Sequence, residues 1–449
     1  MKLLKVHVPN YRSLKNVTLT FEPDLTPQVF PIGGENGGGK STLLQLIFVL
    51  LHCSAMPERH EYITNTIRHM KRPDENWELR RYDIATIEIL YQNEKLEFNF
   101  FLIPLSEEFS TEKTVGTITV RNLFNCFDIQ TIEKGFPKTT NFIKTSFEKT
   151  KYPDFLIFSH TNIKIDEQNK DINVCYQNKR EEETQKNLKK IFIDEFNMNI
   201  INLIELSTDK QKSCFFGFFY KSNLANIQET AERLDEMSNR IYLAGQPLQP
   251  YIFLNDNDIQ ELFSIEGKYF EILKNARKEL PNFYTYDQFA LLAILEGFKK
   301  ARDKDFEKVI ETGTYGTNYH SLLNELKSII GGQKIIYPTT DLKSISVRYQ
   351  TEDGNFIELG PGDLSHGELK RASLYAWIKY REINDAIVLI DEIENGLHPD
   401  WQYQMVHDLA CWGNNQYLLA THSFYLCEAL TPRHVKEIEP RMKNPVPEK

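Results

Sequence analysis

The chain has 449 residues, 41% apolar and 26% charged, which is a globular composition. At roughly 100–200 residues per domain it has room for two or three domains. Its 63 acidic and 53 basic residues give a formal net charge of -10, which argues against a generally basic, nucleic-acid-coating protein and leaves a local basic patch open. No apolar run of about 18 residues appears, so no membrane span is expected. The N-terminal MKLLKVHVPNYRSL is too polar for a secretory signal. Six scattered cysteines (Cys53, Cys126, Cys175, Cys214, Cys411, Cys427) form no CxxC pair and no zinc spacing, and read as reduced thiols of a cytoplasmic protein.

In chain order, KLLKVHVPNYRSLKNVTLTFEP alternates like two strands around a polar break at Asn10–Ser13. VFPIGGENGGGKSTLLQLIFVLLHC reads as an apolar strand, a glycine-rich loop and a helix from about Lys40. IATIEILYQNEKLEFNFFLIP reads as a hairpin turning near Asn93-Glu94, and DFLIFSH at 154–160 as a strand. From about 180 to 330 the pattern is helical: Ile227, Ala231, Leu234 and Ile241 recur at helical spacing, as do Ile259, Leu262, Phe263, Tyr269, Phe270 and Leu273. Phe289–Phe298 is more apolar still, and Gly331-Gly332 stops the last helix. SISVRYQTEDGNFIEL carries a tight-hairpin signal at Asp353-Gly354, and the Pro- and Lys-containing end PRMKNPVPEK reads as a flexible tail.

Gly34-Glu35-Asn36-Gly37-Gly38-Gly39-Lys40-Ser41 fits G-x-x-x-x-G-K-[ST] in full, after a strand and before a helix. Glycines let backbone N–H groups wrap phosphate oxygens, and the following helix points its positive end at them. Candidate nucleotide contacts are Gly34, Asn36, Gly37, Gly39, Lys40, Ser41 and Thr42, with Lys40 on the β- and γ-phosphates and Ser41 on Mg²⁺. Downstream, AIVLIDEIENGLHP reads as a buried parallel strand ending in two carboxylates, Asp391 for Mg²⁺ and Glu392 to polarise the attacking water. NNQYLLATHSF is another apolar strand followed by His422, a candidate γ-phosphate contact, although a His after a strand is usually a polar loop residue. Ser365-x-x-Glu368 in GDLSHGELKR is a capping-box pattern that opens a helix. Asn255-Asp256-Asn257-Asp258 reads as a polar helix cap in preference to a metal site.

Together these residues resemble the ABC-type ATPases of the SMC/RecF/OLD-like branch. Gly34–Ser41 match the phosphate loop, Leu364-Ser365-His366-Gly367-Glu368 the signature, Asp391-Glu392 the Mg²⁺ and base carboxylates, ENGLHP the loop after them and His422 the switch histidine. The resemblance covers roughly residues 1–100 and 335–430. It implies an α/β fold, an ABC/SMC-like P-loop ATPase head split by a helical insert, with ATP and Mg²⁺ as cofactors. It also implies that Ser365, Gly367 and Glu368 of one copy complete the nucleotide site of another, in a homo-oligomer of ATP-sandwiched heads. Tyr11-Arg12 resembles the N-terminal motif near the nucleotide, which makes Arg12 a candidate contact; the pair reads equally as a turn. His366 departs from the transporter signature, and none of Gln92, Gln130 and Gln168 is a convincing glutamine-loop residue.

The expected domains are an N-terminal lobe at 1–160, a mostly helical insert at 161–334, a C-terminal lobe at 335–430 and a flexible tail at 431–449. A head of this kind without a nuclease motif resembles the ATPase subunits of two-gene anti-phage systems of the PARIS or Septu type. That resemblance implies a separate nuclease effector, a phage protein as trigger and no membrane partner, with the insert as sensing or docking surface. The other reading is a RecF-like ATPase that binds DNA in recombination or repair, with salt-sensitive DNA binding.

Overall fold

The computed structural model describes residues 1–54, 56–68, 82–104, 114–119, 155–158, 161–166, 171–177, 199–208, 211–220, 235–246, 278–286 and 289–438, with isolated positions at 254, 260, 271 and 274–275. Asn255–Asp258, Gln130, Gln168, Cys126 and the helical pattern from Ile259 to Leu273 lie outside the described residues.

The chain opens with strands β1 (Lys2–Tyr11), β2 (Leu14–Thr20) and β3 (Val29–Gly33) and helix α1 (Lys40–Phe48). Helix α2 (His60–Arg68) precedes strands β4 (Tyr82–Tyr91), β5 (Glu94–Pro104), β6 (Thr114–Thr119), β7 (Phe155–Phe158), β8 (Thr161–Asp166), β9 (Asp171–Gln177), β10 (Asn199–Thr208) and β11 (Gln211–Tyr220). Strands β12 (Ile241–Gly245) and β13 (Phe283–Thr285) lead to helices α3 (Phe289–Thr312) and α4 (Asn318–Ile329) and strands β14 (Lys334–Pro338), β15 (Ile345–Gln350) and β16 (Phe356–Leu359). Last come helix α5 (His366–Tyr380), strand β17 (Ile387–Asp391), helix α6 (Pro399–Trp412), strand β18 (Gln416–Ala420), helix α7 (Phe424–Glu428) and strand β19 (Lys436–Glu437).

These elements form two compact units. One comprises Met1–Leu3, Thr20–Phe48 and Asn239–Lys449, the other Leu4–Leu19 and Val49–Ser238. The second unit holds a six-stranded sheet in the order β10-β11-β5-β4-β1-β2 and a four-stranded antiparallel sheet β6-β9-β8-β7. The β4–β5 hairpin turns one residue earlier than expected, on Gln92 and Asn93, both with positive φ (49° and 64°). That geometry matches the twist of the flanking strands in a two-residue turn.

The first unit is built on a parallel sheet in the order β13-β12-β17-β18-β3-β19. Strands buried on both faces must be apolar throughout. IVLID and QYLLA meet that condition, and every one of their residues is buried. Helix α5 is the central packing element: eleven of its residues are buried, and Trp377 stacks on Tyr284 with ring centroids 4.9 Å apart. The predicted hairpin at Asp353-Gly354 joins β15 to β16, and α4 ends just before Gly331-Gly332.

Three expectations need correction. The stretch read as a helical insert contains the antiparallel pair β10–β11, and β12 and β13 belong to the parallel sheet. Ile241 closes no helical stripe: Asn239-Arg240 form a turn, and IYLAG follows as a short strand whose apolar run has no helical length. The tail does not begin at 431, because β19 pairs with β3 and Ile438 donates its N–H to the Gly33 carbonyl. His434 and Ile438 are buried, so this end is structured up to 438.

The α3–α4 hairpin depends on one carboxylate. Asp305 Oδ1 accepts hydrogen bonds from the Asn318 N–H and from Asn318 Nδ2, both at 2.7 Å, and Oδ2 accepts from the Tyr319 N–H at 2.8 Å. These are first-turn amides of α4, so Asp305 does from a neighbouring helix what an N-cap does locally. Burial alone would raise its pKa, but the Tyr319 and Asn318 donors outweigh burial and hold it below the usual carboxylate value. The stabilisation is therefore present at neutral pH and lost as the pH falls through the lowered folded value. Asp305→Ala should cost about 1–2 kcal/mol. Thermal melts at pH 7 and pH 3 should show the difference from the unaltered protein shrinking at the acid end.

Candidate functional site

The registers of the parallel sheet place the strand ends side by side. Asp391 stands level with Ala420, Ala420 with Ile32, and Ala244 with Ile390. In a sheet of this kind ligands bind outside the carboxyl ends of the strands. Gly33 leads there into the phosphate loop, Asp391 into Glu392, Ala420 into His422 and Gly245 into Gln246.

The phosphate loop is closed by its own polar groups. Gly37 and Gly39 have φ of 76° and 100°, a backbone that side chains resist. The Gly38 N–H donates to the Glu35 carbonyl at 3.1 Å. Lys40 Nζ donates to the carbonyls of Gly34 and Glu35 at 2.9 and 3.1 Å, and the side chain is buried. Asn36 and Gly37 are exposed, and Thr42 is half-buried.

Ser41 Oγ donates to Asp391 Oδ1 at 2.9 Å, joining the start of α1 to the end of β17. Burial pushes the Asp391 carboxyl up to about 7; Glu392 and Glu394 push the same way, against the Ser41 hydrogen bond and the Lys40 charge. Burial also lowers the Lys40 pKa, with the three carboxylates opposing.

Glu392 has φ of 48°, left-handed for a non-glycine residue. Its N–H donates to the Ala420 carbonyl at 2.9 Å, and its Oε2 accepts from Asn395 Nδ2 at 2.6 Å. His422 has an exposed ring, and its N–H donates to Glu394 Oε1 at 2.7 Å. Glu394 Oε2 is buried without a hydrogen-bond partner.

The predicted capping box is present in both directions. Ser365 Oγ accepts from the Glu368 N–H at 3.2 Å, and Glu368 Oε2 accepts from the Ser365 N–H at 2.7 Å. Lys334 Nζ adds an ion pair to Glu368 Oε2 at 2.9 Å. Ser365 and His366 are exposed, and the first amides of α5 have no intrahelical acceptor. Gly367 is forced: a Cβ there would lie 2.5 Å from the Gly396 carbonyl oxygen, so the signature packs on the turn that follows Glu392.

Arg12 lies in the second unit, at φ 51° between β1 and β2. Its Nη2 donates to the Thr66 carbonyl at 3.2 Å and its guanidinium lies 5.3 Å from the Tyr11 ring centroid, the surroundings of a turn residue. Gln92 is also a turn residue of that unit. Gln246, missed in the sequence because IYLAG was taken into a helical stretch, stands one residue past the level of Asp391. Its Nε2 is buried without a hydrogen-bond partner. Lys370, Tyr286 and Glu394 also went unassigned.

Hard oxygen donors at Ser41 and Asp391 suit Mg²⁺, which keeps several waters and binds through one or two protein groups plus phosphates. Among the described residues no cluster of three or more His, Cys, Asp or Glu is arranged to hold a metal.

A phosphate loop, two strand-end carboxylates, a strand-end histidine and a capped signature helix, all on one parallel sheet, define a P-loop ATPase core of the ABC type. The family described as an AAA ATPase domain (AAA_15) matches residues 1–427, and the chain belongs to it. Among solved structures, the chain is similar to the Smc head domain with an extended coiled coil bound to the C-terminal domain of ScpA from Pyrococcus furiosus, at 12% identity and a TM-score of 0.35, over 95% of this chain and 91% of that one. It is similar to the SmcHead bound to the C-winged helix domain of ScpA at 11% identity and a TM-score of 0.37, over 96% and 92%. The recombination mediator protein RecF of the RecFOR pathway follows at 12% and 0.26, over 94% and 93%. No described helix is long and apolar enough to cross a membrane.

The raised Asp391 pKa has a measurable consequence. A carboxyl that titrates higher in the folded protein makes stability fall as pH rises from its ordinary value of 3.8 towards about 7. Asp391→Asn should therefore be more stable than the unaltered protein at pH 8 without Mg²⁺, by about 1–3 kcal/mol. The gain should vanish near pH 4. Equal melting temperatures at pH 8 would show that Asp391 is not desolvated.

Proposed function

We propose that the chain binds ATP with Mg²⁺ at the phosphate loop, hydrolyses it to ADP and phosphate, and works as an oligomer of paired heads. The observation that carries the reading is the 2.9 Å contact between Ser41 Oγ and Asp391, two oxygen donors of the type Mg²⁺ requires. When bound, Mg²⁺ neutralises charge on the phosphate oxygens. Lys40 exchanges its two carbonyl partners for phosphate oxygens. Glu392 orients the attacking water and takes its proton. His422 and Gln246 follow β18 and β12, the strands on either side of β17, where they reach the terminal phosphate and the water shell. The start of α5, where Ser365 and His366 are exposed and Gly367 packs beneath them, offers amides and a helix dipole to the nucleotide of a second copy.

Lys40→Ala should lower nucleotide affinity at least about 100-fold. Glu392→Gln should bind ATP with near-normal affinity while its turnover falls about 10²–10³-fold. Ser365→Arg should bind ATP as a single copy yet fail to complete a partner's site. Mixed with Lys40→Ala it should restore one active site per pair. Normal turnover by Glu392→Gln would refute the base assignment.

The proposed cellular role is control of a separate nuclease effector in anti-phage defence, with a phage protein as trigger. It is supported by the resemblance of the head motifs to such ATPase subunits. A net charge of -10 also favours a protein partner over a nucleic-acid one. The test is to express Glu392→Gln with its neighbouring genes, add ATP and Mg²⁺, and identify what co-purifies. A nuclease-like protein held on an ATPase oligomer is the expected result. A bare dimer that retains DNA and no protein would replace this role with RecF-like repair.

A further inference from the structure

We propose that Lys370 is a positioning residue that holds Glu392 in its working orientation and joins the signature helix to it. The inference rests on the ATPase reading above and names a residue that reading does not use.

Lys370 is 1% exposed. A buried ammonium must be compensated, and the identity of its partners shows what it is for. Nζ donates to the Glu392 carbonyl at 2.7 Å and to the Asn395 carbonyl at 3.2 Å, and it lies 4.1 Å from the centroid of the Tyr286 ring. Its hydrogen-bond partners are thus two carbonyls of a single turn.

That turn needs an external hold. Glu392 is left-handed at φ 48°, and such a residue persists only where its surroundings over-determine it. Its N–H is taken by the Ala420 carbonyl. Its carbonyl is taken jointly by Lys370 and the Asn395 N–H, the latter at 3.2 Å. Its carboxylate is held by Asn395 Nδ2, whose own backbone carbonyl is the second acceptor of Lys370. Lys370 therefore fixes both ends of the arc that aims the carboxylate.

The same lysine links this arc to the signature. Gly367 and Lys370 are three residues apart on α5 and so share a face. Gly367 meets Gly396, and Lys370 meets Glu392 and Asn395. The helix thus touches one turn at two points. A shift at its exposed start, where a second copy's nucleotide would bear, is passed to Glu392.

The test is a double-mutant cycle on the full chain, read by steady-state and single-turnover ATP hydrolysis, nucleotide affinity and melting temperature. Lys370→Met keeps the stem and removes the donors. It should lower kcat about 30–100-fold with ATP affinity within about 3-fold. In a Glu392→Gln background it should cost nothing further, because its effect passes through that carboxylate. Lys370→Arg, which retains charged donors, should recover part of the rate. If Lys370→Met does not fold, Lys370→Gln takes its place in the cycle. A kcat within twofold of the unaltered protein overturns the proposal. So does a double mutant that loses the product of the two single losses, since that is the mark of a merely structural lysine. No hydrolysis by the unaltered protein overturns the ATPase reading instead, and this inference with it.

Discussion

The hydrogen bond from Ser41 to Asp391 joins residues 350 positions apart in the chain, and the site depends on it. It can form only if β17 and β18 enter the sheet beside β3 in the observed register, because a slip of one residue would turn Asp391 to the other face. Once that register is set, the remaining strand ends follow. His422 comes two residues after Ala420, Glu392 one after Asp391, and Gln246 sits on the neighbouring strand end. A long excursion between β3 and β12 is tolerated because loop closure grows only with the logarithm of length. The parallel sheet takes the chain back wherever an apolar five-residue strand returns.

The site concentrates charge: Asp391, Lys40 and Lys370 are buried, and Glu392 and Glu394 half-buried beside them. Asp391, Glu392 and Glu394 all act on Lys40 and on Lys370, whose pKa burial lowers to about 8 while those carboxylates oppose. Such groups are retained in the interior when each is held by a specific partner. Lys40 is held by its own loop, Asp391 by Ser41, Glu394 by the His422 amide and Lys370 by the turn after Glu392. Apart from the Lys40 bonds, each of these crosses from one motif to the next. The motifs are therefore mechanically joined within one copy before any second copy contributes.

The parts of this arrangement that were legible in the sequence are those with local signals. The phosphate loop, the capping box at Ser365 and Glu368, the apolar strands before Asp391 and His422, and the hairpins were each written in a few adjacent residues. What escaped had no local pattern. Ile241 fell at helical spacing from Leu234 by coincidence, and that hid both the strand β12 and the glutamine after it. β10 pairs with the next strand, β11, and β11 joins the sheet through β5, a partner far back in the chain that periodicity does not register. Arg12, in a motif-like pair, meets the Tyr11 ring and the Thr66 carbonyl within the second unit, contacts that the pair itself does not foretell.

Local rules break where the site is. Glu392 takes a backbone conformation suited to glycine, Lys370 is buried in a helix interior, and Gln246 and Glu394 each leave a buried polar atom without a hydrogen-bond partner. Each costs stability by itself, and sequences generally avoid such costs away from functional positions. Their convergence is informative because they come from three separate places in the chain: the turn after β17 (Glu392 and Glu394), helix α5 (Lys370) and the end of β12 (Gln246). Strain at Glu392 and unmet polar capacity at Gln246 and Glu394 are what a preorganised site requires. Its groups are aimed in advance at charge that develops during a reaction, so little reorganisation remains for the moment it occurs.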